Sequence, residues 1–278
     1  MTFEKNKMLQ PGGVTADCHI HTEFSSDSET KMEDQVARAI ALGMDHICFT
    51  DHMDMDYPEG EFQLDTDAYV SKVLEMKEAY KDQICICLGV ELGMQEHLKE
   101  RQQAYIDKYP FDFVIGSMHL IHGEDPYFGK IYEKMGDEEA YREYFRATLA
   151  NVKKAPKIHT LGHLDYAVRY GKEKATHYSY EKFAAEIDEI LQYLIDHQIA
   201  LEVNTAGLRM LSFTNPHPDV LRRYRELGGR LITVGSDGHM PEYLGYGFDQ
   251  IGKQLLDCGF DSYTVFKEGK PEFRKLYS

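Results

Sequence analysis

Six short segments of the sequence place histidine, aspartate or glutamate directly after a run of apolar residues. The segments are DCHIH (17–21), TDH (50–52), GVE (89–91), GSMH (116–119), LGHLD (161–165) and GSDGH (235–239). Imidazole nitrogens and carboxylate oxygens are ligands that divalent transition metals accept together in one site. The residue types therefore predict metal-ion chemistry, provided that the fold brings the six segments to one place.

The spacing within two of these segments suits a shared cation. His19 and His21, like Asp237 and His239, are separated by one residue, and alternate residues of a strand point to the same face. Two imidazoles so placed can both reach one metal ion at about 2.0–2.1 Å. Carboxylates crowded together without a cation would be costly to bury. The recurrence of such residues at the same point of six units, rather than any one pair, predicts a metal site.

The apolar runs that precede the clusters predict β-strands, and the stretches between them predict helices. The expected strands are 14–22, 46–52, 84–93, 111–119, 158–165, 200–207 and 231–239. Several are apolar on both faces, as is typical of parallel strands covered on both sides. Amphipathic periodicity predicts helices over 31–42, 66–80, 96–108, 137–152, 180–197, 218–227 and 242–256. Residues 120–136 are expected to form a long loop, which is either a functional lid or binding loop or a surface loop without a specific function.

Seven repeated strand–helix units predict an α/β fold with right-handed crossovers, closed into a barrel. The carboxyl ends of parallel barrel strands meet at one rim, which is where barrel enzymes have their active sites. We expect one domain that spans residues 1–278. The alternative is an open doubly wound sheet, but the sequence lacks the GxGxxG turn that would support it.

The charge balance limits the kinds of partner. The formal net charge is -16, from 47 acidic and 31 basic residues, so the surface repels phosphate backbones and anionic lipid. Nucleic acid and membranes are therefore not expected as partners, although a local site can still bind a small phosphorylated ligand. The N-terminus, MTFEKNKMLQ, lacks the apolar core of a signal peptide, and no apolar run approaches the ~18 residues that span a bilayer. We expect a cytoplasmic protein; the sequence gives no indication of its oligomeric state.

The cysteines predict neither disulfides nor a zinc knuckle. They are Cys18, Cys48, Cys85, Cys87 and Cys258, an odd number without CxxC spacing. Most lie in apolar runs, as buried thiols do. His46 is grouped with the histidines that are expected to be solvated in helices, caps or loops.

The ordered set of candidate ligands resembles that of the polymerase and histidinol phosphatase (PHP) superfamily. Its pattern of HxH, His, Glu, His, Gly-His and Asp-x-His is matched by His19, His21, His52, Glu91, His119, His163, Asp237 and His239. The resemblance extends from about Asp17 to His239. The segments LGHLDYAVRYG (161–171) and LEVNTAGLR (201–209) look like those of the stand-alone histidinol-phosphate phosphatases.

This resemblance implies a distorted (β/α)7 TIM-like barrel, the PHP fold, with two to three divalent metal ions. One ion would bind His19, His21, Glu91 and Asp237; a second would share Glu91 and add His119 and His163; a third would bind His52, His239 and Asp27. The carboxylates Asp27, Glu91 and Asp237 are the expected catalytic residues. In some relatives the position of Asp27 is a histidine. Mixed imidazole and carboxylate ligands suit zinc, manganese or iron, and spacing does not choose among them.

The expected reaction is hydrolysis of a phosphomonoester by a hydroxide that bridges two metals, since metal-bound water is acidic enough to ionise near neutral pH. The sequence has neither a CxxxxxR phosphatase loop nor a DxDx[TV] nucleophile motif. Arg169 and Arg209 are the candidate phosphate clamps, because a guanidinium can bind phosphate in a bidentate manner. Asn204 is a further candidate substrate donor. His122 is one candidate for the acid that protonates the leaving group, which the sequence does not identify.

Three aspartates that neighbour the candidate ligands, Asp17, Asp51 and Asp165, are expected to orient imidazoles, although Asp51 could itself bind metal. By resemblance the substrate is histidinol phosphate, converted to histidinol in histidine biosynthesis. Two alternatives remain: a phosphoesterase acting on nucleotides or nucleic-acid ends, and a non-catalytic metal-binding or interaction module. The net charge opposes a long polynucleotide, and the complete ligand set opposes a degenerate, non-catalytic barrel.

Overall fold

The computed structural model describes Leu9 and residues 13–277. Residues 1–8 and 10–12, on which the expected absence of a leader depends, lie outside the described residues. In the part of the chain that is described, no helix is both long enough and apolar enough to cross a bilayer.

A parallel sheet forms the centre of the fold. Its strands are β1 (Ala16–Ile20), β2 (His46–Phe49), β3 (His52–Met53), β4 (Cys85–Gly93), β5 (Phe113–Ser117), β6 (Thr160–Leu161), β7 (Ala200–Asn204) and β8 (Ile232–Gly235). The strand order is β1-β2-β4-β5-β6-β7-β8, with β3 also paired to β4. A parallel bridge between Ile20 and Gly238 brings the last strand back to the first. The sheet is thus nearly closed, which confirms the predicted barrel.

Helices cover the outside of this sheet. They are α1 (Met32–Leu42), α2 (Thr66–Ala79), α3 (Lys99–Lys108), α4 (Lys130–Met135), α5 (Asp137–Lys154), α6 (Ala184–Asp196), α7 (Gly207–Met210), α8 (Pro218–Glu226) and α9 (Phe248–Asp257). The sequence of α6 shows why they pack there. Ile187, Ile190, Leu191 and Leu194 recur at helical spacing and are all buried, so one apolar stripe faces the sheet.

Two regions differ from the sequence-based expectation. The last helix begins at Phe248, six residues later than expected, because Gly245 and Gly247 have φ of 66° and 76° and form a turn instead. The loop 120–136 contains the short helix α4 and a 3-10 turn at Pro126–Phe128.

A C-terminal hairpin of β9 (Ser262–Lys267) and β10 (Lys270–Lys275) was not predicted. Its turn is held by Asp112, whose Oδ1 accepts from the Glu268 amide at 2.9 Å. The Phe266 ring lies 5.3 Å from that of Phe113, the first residue of β5. The hairpin therefore covers the amino-terminal end of the barrel, which leaves the opposite rim free for the functional clusters.

Candidate metal centre

The structure brings the six predicted segments to the carboxyl ends of the strands, around one cavity of about 170 Å³. Candidate ligands that line this cavity are Asp27, His52, His119, His163, Asp237 and His239. His19, His21 and Glu91 lie beneath it, with residue exposures of 0%, 0% and 1%. All nine candidate ligands thus meet at the predicted rim.

Glu91 is the centre of this arrangement, because its two oxygens face different imidazoles. Its Oε2 lies 3.1 Å from His19 Nε2 and 3.4 Å from His21 Nε2. Its Oε1 lies 3.2 Å from His119 Nε2 and 3.0 Å from His163 Nε2. A carboxylate placed between two pairs of imidazoles can bridge two cations.

Asp237 completes the first of these groups. Its Oδ1 lies 3.4 Å from His21 Nε2 and 3.9 Å from His19 Nε2. The residue has φ of 54°, a left-handed conformation that aspartate tolerates better than most residues. Its backbone amide donates to the His19 carbonyl at 2.8 Å, so the ligand is fixed to the strand that carries its neighbours.

The third predicted group lies at the mouth of the cavity. Asp27 Oδ2 lies 3.0 Å from His239 Nε2 and 3.8 Å from His52 Nε2. The rings of His21 and His239 stack at 4.1 Å, and His52 Nδ1 lies 3.1 Å from Glu91 Oε2. The third group is therefore continuous with the first rather than separate from it.

Unsatisfied polar atoms indicate that cations fit this site. The buried atoms His19 Nε2, His21 Nε2, His52 Nδ1, His239 Nε2 and Glu91 Oε2 have no hydrogen-bond partner. Buried polar atoms are nearly always paired, and each unpaired one costs free energy. Their convergence on one point is explained if they donate electron pairs to metal ions.

The electrostatics of the cluster agree with this interpretation. Burial alone would raise the pKa of Glu91, yet the charges of His19, His52 and His119 hold it well below its usual range. Burial likewise opposes protonation of His19, but Glu202, Glu91 and Asp237 hold its pKa well above the ordinary value. The site thus stabilises anionic carboxylates and attracts positive charge among the imidazoles.

Two carboxylates that were not identified from the sequence orient the candidate ligands. Glu202 Oε1 lies 2.6 Å from His19 Nδ1, and its Oε2 accepts from the His163 amide at 2.7 Å. Asp54 Oδ2 lies 2.6 Å from His119 Nδ1, and its Oδ1 accepts from the Gly93 amide at 3.1 Å. A carboxylate bound to one ring nitrogen fixes the imidazole with its other nitrogen free for a metal.

The three aspartates that were expected to orient imidazoles differ in the groups that they contact. Asp17 accepts from the amides of Ser236 and Gly245, and Asp165 accepts from Tyr178 and Asn215, so both hold loops. Asp51 accepts from the Ser25 hydroxyl, whose oxygen lies 3.1 Å from His21 Nδ1. Only Asp51 therefore acts on an imidazole, and it does so through a serine.

Both candidate phosphate clamps line the cavity. Arg169 donates from Nε to Asn215 at 2.7 Å, from Nη2 to Asn204 at 2.9 Å and from Nη1 to Asp237 at 3.3 Å. Arg209 lies over the Tyr243 ring at 4.5 Å and donates to the Asp237 carbonyl.

Asn204, the third candidate for substrate binding, lies beneath the cavity. It has 0% exposure, and its Nδ2 donates to Glu202 at 3.2 Å and to Asp237 at 3.3 Å. Since its amide is engaged beneath the cavity, the contacts fit a residue that positions Arg169 better than one that touches substrate.

The structure contradicts the prediction for His46 and does not support the one for His122. The side chain of His122 is 69% exposed and binds Glu143 at 2.7 Å, away from the cavity, so its contacts do not support a role as acid. His46 is not solvated: it lies on β2 and is only 2% exposed.

Comparison with known proteins agrees with this geometry. The family model described as "PHP domain" matches residues 17–206. A probable histidinol-phosphatase of Clostridium acetobutylicum is 35% identical over 243 residues, which cover 87% of this chain and 93% of that protein. The histidinol-phosphatase of Lactococcus lactis is 33% identical over 260 residues, covering 93% of this chain and 97% of that protein.

Two solved structures are similar in fold. The crystal structure of histidinol phosphate phosphatase from Lactococcus lactis, complexed with zinc, L-histidinol and phosphate, matches with a TM-score of 0.86 at 32% identity. The match covers 93% of this chain and 98% of that one. A putative histidinol phosphatase from Listeria monocytogenes matches with a TM-score of 0.72 at 20% identity, covering 84% and 98%, and supports the fold alone.

Replacement of Glu202 by glutamine tests the role of the orienting carboxylate. Both of its oxygens accept from N–H groups, so an amide leaves one donor without an acceptor. We expect zinc affinity, measured by equilibrium dialysis, to fall by about 10–100-fold. Glu226→Gln, at an exposed position of α8, is the control and should leave affinity unchanged. Equal affinities for the two variants would contradict the assignment.

Replacement of Gly93 by alanine tests the support of Asp54. A Cβ at Gly93 would lie 2.5–2.8 Å from the Asp54 carboxyl atoms, which would have to move away from His119. We expect weaker zinc binding and a loss of about 1–3 kcal/mol in the free energy of unfolding by urea. Gly252→Ala, within α9, is the matched control, because a Cβ there meets its nearest atoms at ordinary distances of 3.5–3.8 Å. A Gly93→Ala protein as stable as that control would refute the crowding.

Proposed function

This chain belongs to the PHP domain family, and from this membership and its cavity we propose that it is a metal-dependent phosphomonoesterase that hydrolyses L-histidinol phosphate to L-histidinol and phosphate. The single observation that carries the proposal is the placement of Glu91 between two pairs of imidazoles, beneath a cavity that also presents two arginines. A site that can hold metal ions next to two guanidinium groups suits a phosphate ester.

The proposed cofactors are two to three divalent ions, of zinc, manganese or iron. We assign His19, His21, Glu91 and Asp237 to the first, Glu91, His119 and His163 to the second, and Asp27, His52 and His239 to the third. When bound, such ions supply a hydroxide nucleophile near neutral pH and neutralise charge on the phosphate. Zinc is the ion in the similar structure from Lactococcus lactis.

The protein's own residues position the phosphate. Arg169 is held by the neutral amides of Asn204 and Asn215 and by an ion pair with Asp237 at 3.3 Å. Because Asp237 is also assigned to a metal ion, its charge is shared, and the guanidinium can still attract an anion. Arg209 is held by an aromatic ring and a carbonyl, also without a full neutralising partner. Together the two guanidinium groups can stabilise the negative charge on the transferring phosphoryl group.

The rest of the cavity suits a small cationic alcohol. Tyr57, Phe62, Tyr166, Tyr170 and Asp125 also line the cavity. The Tyr57 hydroxyl donates to Asp125 Oδ2 at 2.8 Å, which fixes that carboxylate. Aromatic faces and a carboxylate attract an ammonium or imidazolium group. A cavity of about 170 Å³ in a chain of net charge -16 does not suit a polynucleotide.

We further propose a role in histidine biosynthesis in the cytoplasm, without nucleic acid or membrane partners. The proposed reaction and the net charge of -16 support this proposal.

Kinetic measurements with a panel of phosphomonoesters test the substrate. We expect the highest kcat/KM for histidinol phosphate, with nucleoside monophosphates and simple alkyl phosphates lower by at least about tenfold, or about 1.4 kcal/mol. The reason is that only histidinol combines a cation with an aromatic ring. A nucleotide turned over as efficiently as histidinol phosphate would favour the alternative phosphoesterase.

Replacement of Glu91 by glutamine tests the bridging carboxylate. The amide removes one negative charge and presents N–H groups to imidazoles. We expect kcat to fall by at least about a hundredfold, the scale of losing one charge-stabilising group, with lower metal content by atomic absorption. Glu100→Gln, on the exposed face of α3, serves as control and should keep full activity. Wild-type turnover in the Glu91 variant would eliminate the proposed cluster.

A further inference from the structure

A second group of metal-ligand side chains lies at the opposite end of the barrel. His46 begins β2 and Cys85 begins β4, and the two residues are partners in the parallel ladder. Cys87 follows Cys85 by two residues and therefore points to the same face of the sheet. Two neighbouring strands thus present one imidazole and two thiols side by side.

These side chains are close enough to share one ion. One ring nitrogen of His46 and the two sulfur atoms all lie within 4.8 Å of one another. Zinc binds thiolate sulfur at about 2.3 Å and imidazole nitrogen at about 2.0–2.1 Å in a tetrahedral site. Ligand atoms of such a site are therefore about 3.5–4 Å apart, which small rotations of these side chains would produce.

An unpaired buried atom points independently to a ligand. His46 is only 2% exposed, and its Nε2 has no hydrogen-bond partner. Burial of an unpaired ring nitrogen is unfavourable, and a core histidine normally satisfies both nitrogens. The orphaned nitrogen beside two free thiols is explained if this cluster receives a cation.

We propose that His46, Cys85 and Cys87 form a structural site for a thiophilic divalent cation, of which zinc is the expected one. Two sulfurs and one nitrogen match the ligand preference of zinc, whereas manganese prefers oxygen. Cys85 is only partly buried, which gives an ion and a fourth, solvent-derived ligand access from outside.

This site is separate from the catalytic centre. Cys87 precedes Glu91 by four residues on the same strand, which corresponds to about 13 Å at about 3.3 Å per residue. The ligand atoms also differ, because the nine residues of the catalytic centre contribute nitrogen and oxygen but no sulfur. A bound ion would join β2 to β4 beneath the C-terminal hairpin, whose Phe266 carbonyl accepts from Cys87 Sγ at 3.6 Å.

A disulfide is a poorer explanation of the two thiols. Residues two apart on a strand have Cα atoms about 6.6 Å apart, near the upper limit for a disulfide. Cys85 and Cys87 also belong to a strand whose pairing with β2 is in regular register, so closing the bond would distort the ladder. Metal binding requires no such change.

Cobalt substitution of the full-length protein tests the proposal. The protein is stripped with chelator and reloaded with Co²⁺, and its near-ultraviolet spectrum and bound cobalt are measured. We expect a thiolate-to-cobalt charge-transfer band in the wild type, because among the described residues this is the one group of candidate metal ligands that contains sulfur. The Cys85→Ser/Cys87→Ser variant should lose the band and about one cobalt ion per chain, while phosphatase activity is retained. Cys258→Ser, which alters a cysteine outside the cluster, should keep the band.

Absence of the band in the wild type, or its persistence in the double variant, would overturn the proposal. If the double variant does not fold, Cys85→Ser alone replaces it, since that side chain is partly exposed and should tolerate the change. The band should then fall by at least about half, because one of the two thiolate ligands is removed. Alkylation gives a second readout on the native protein: Zn²⁺ should slow the reaction of Cys85 with iodoacetamide, and chelator should restore it. Equal rates with and without zinc would count against the site.

Discussion

A buried carboxylate surrounded by imidazoles is the interaction on which this structure depends. Glu91 is 1% exposed and lies near the carboxyl end of β4. Burial by itself would favour the neutral acid and raise its pKa. The charge is maintained because histidines from four other segments converge on its two oxygens. The barrel makes this possible by bringing the ends of separate strands to one rim, and the metal-ion chemistry follows from that convergence.

The imidazoles and the arginine of this site are held in place by different sets of side chains. Carboxylates of Glu202 and Asp54 hold the imidazoles of His19 and His119, which keeps those rings electron-rich. Arg169 is held by the amides of Asn204 and Asn215 together with one carboxylate, that of Asp237. With Arg209 it places two guanidinium groups at the cavity of an otherwise acidic protein.

The sequence predicts the barrel and the ligand set because both depend on local periodicity. His19 and His21, or Asp237 and His239, are recognisable from their spacing alone. The orienting residues are different, since Glu202 contacts a histidine 183 positions away and only the fold creates that pair. A buried glutamate at the end of an apolar strand was the available signal for Glu202. Nearness in the sequence was misleading for Asp17 and Asp165, whose carboxylates accept from loop residues rather than from the imidazoles of the neighbouring ligands. The charged β10, with its exposed side chains, gave no apolar alternation by which the hairpin could be recognised.

The bridge that joins the two ends of the parallel sheet has a consequence for the biosynthesis of the protein. His19 and His21 emerge early from the ribosome, whereas Asp237 and His239 are made near the end, and the Ile20–Gly238 bridge joins the two parts. A nascent chain that stops before Asp237 has most of its helices but neither barrel closure nor a complete set of ligands. Contacts between such distant positions form late, since the intervening chain must first be ordered. A translation product that ends before Asp237 therefore lacks two of the assigned metal ligands and the bridge that closes the barrel.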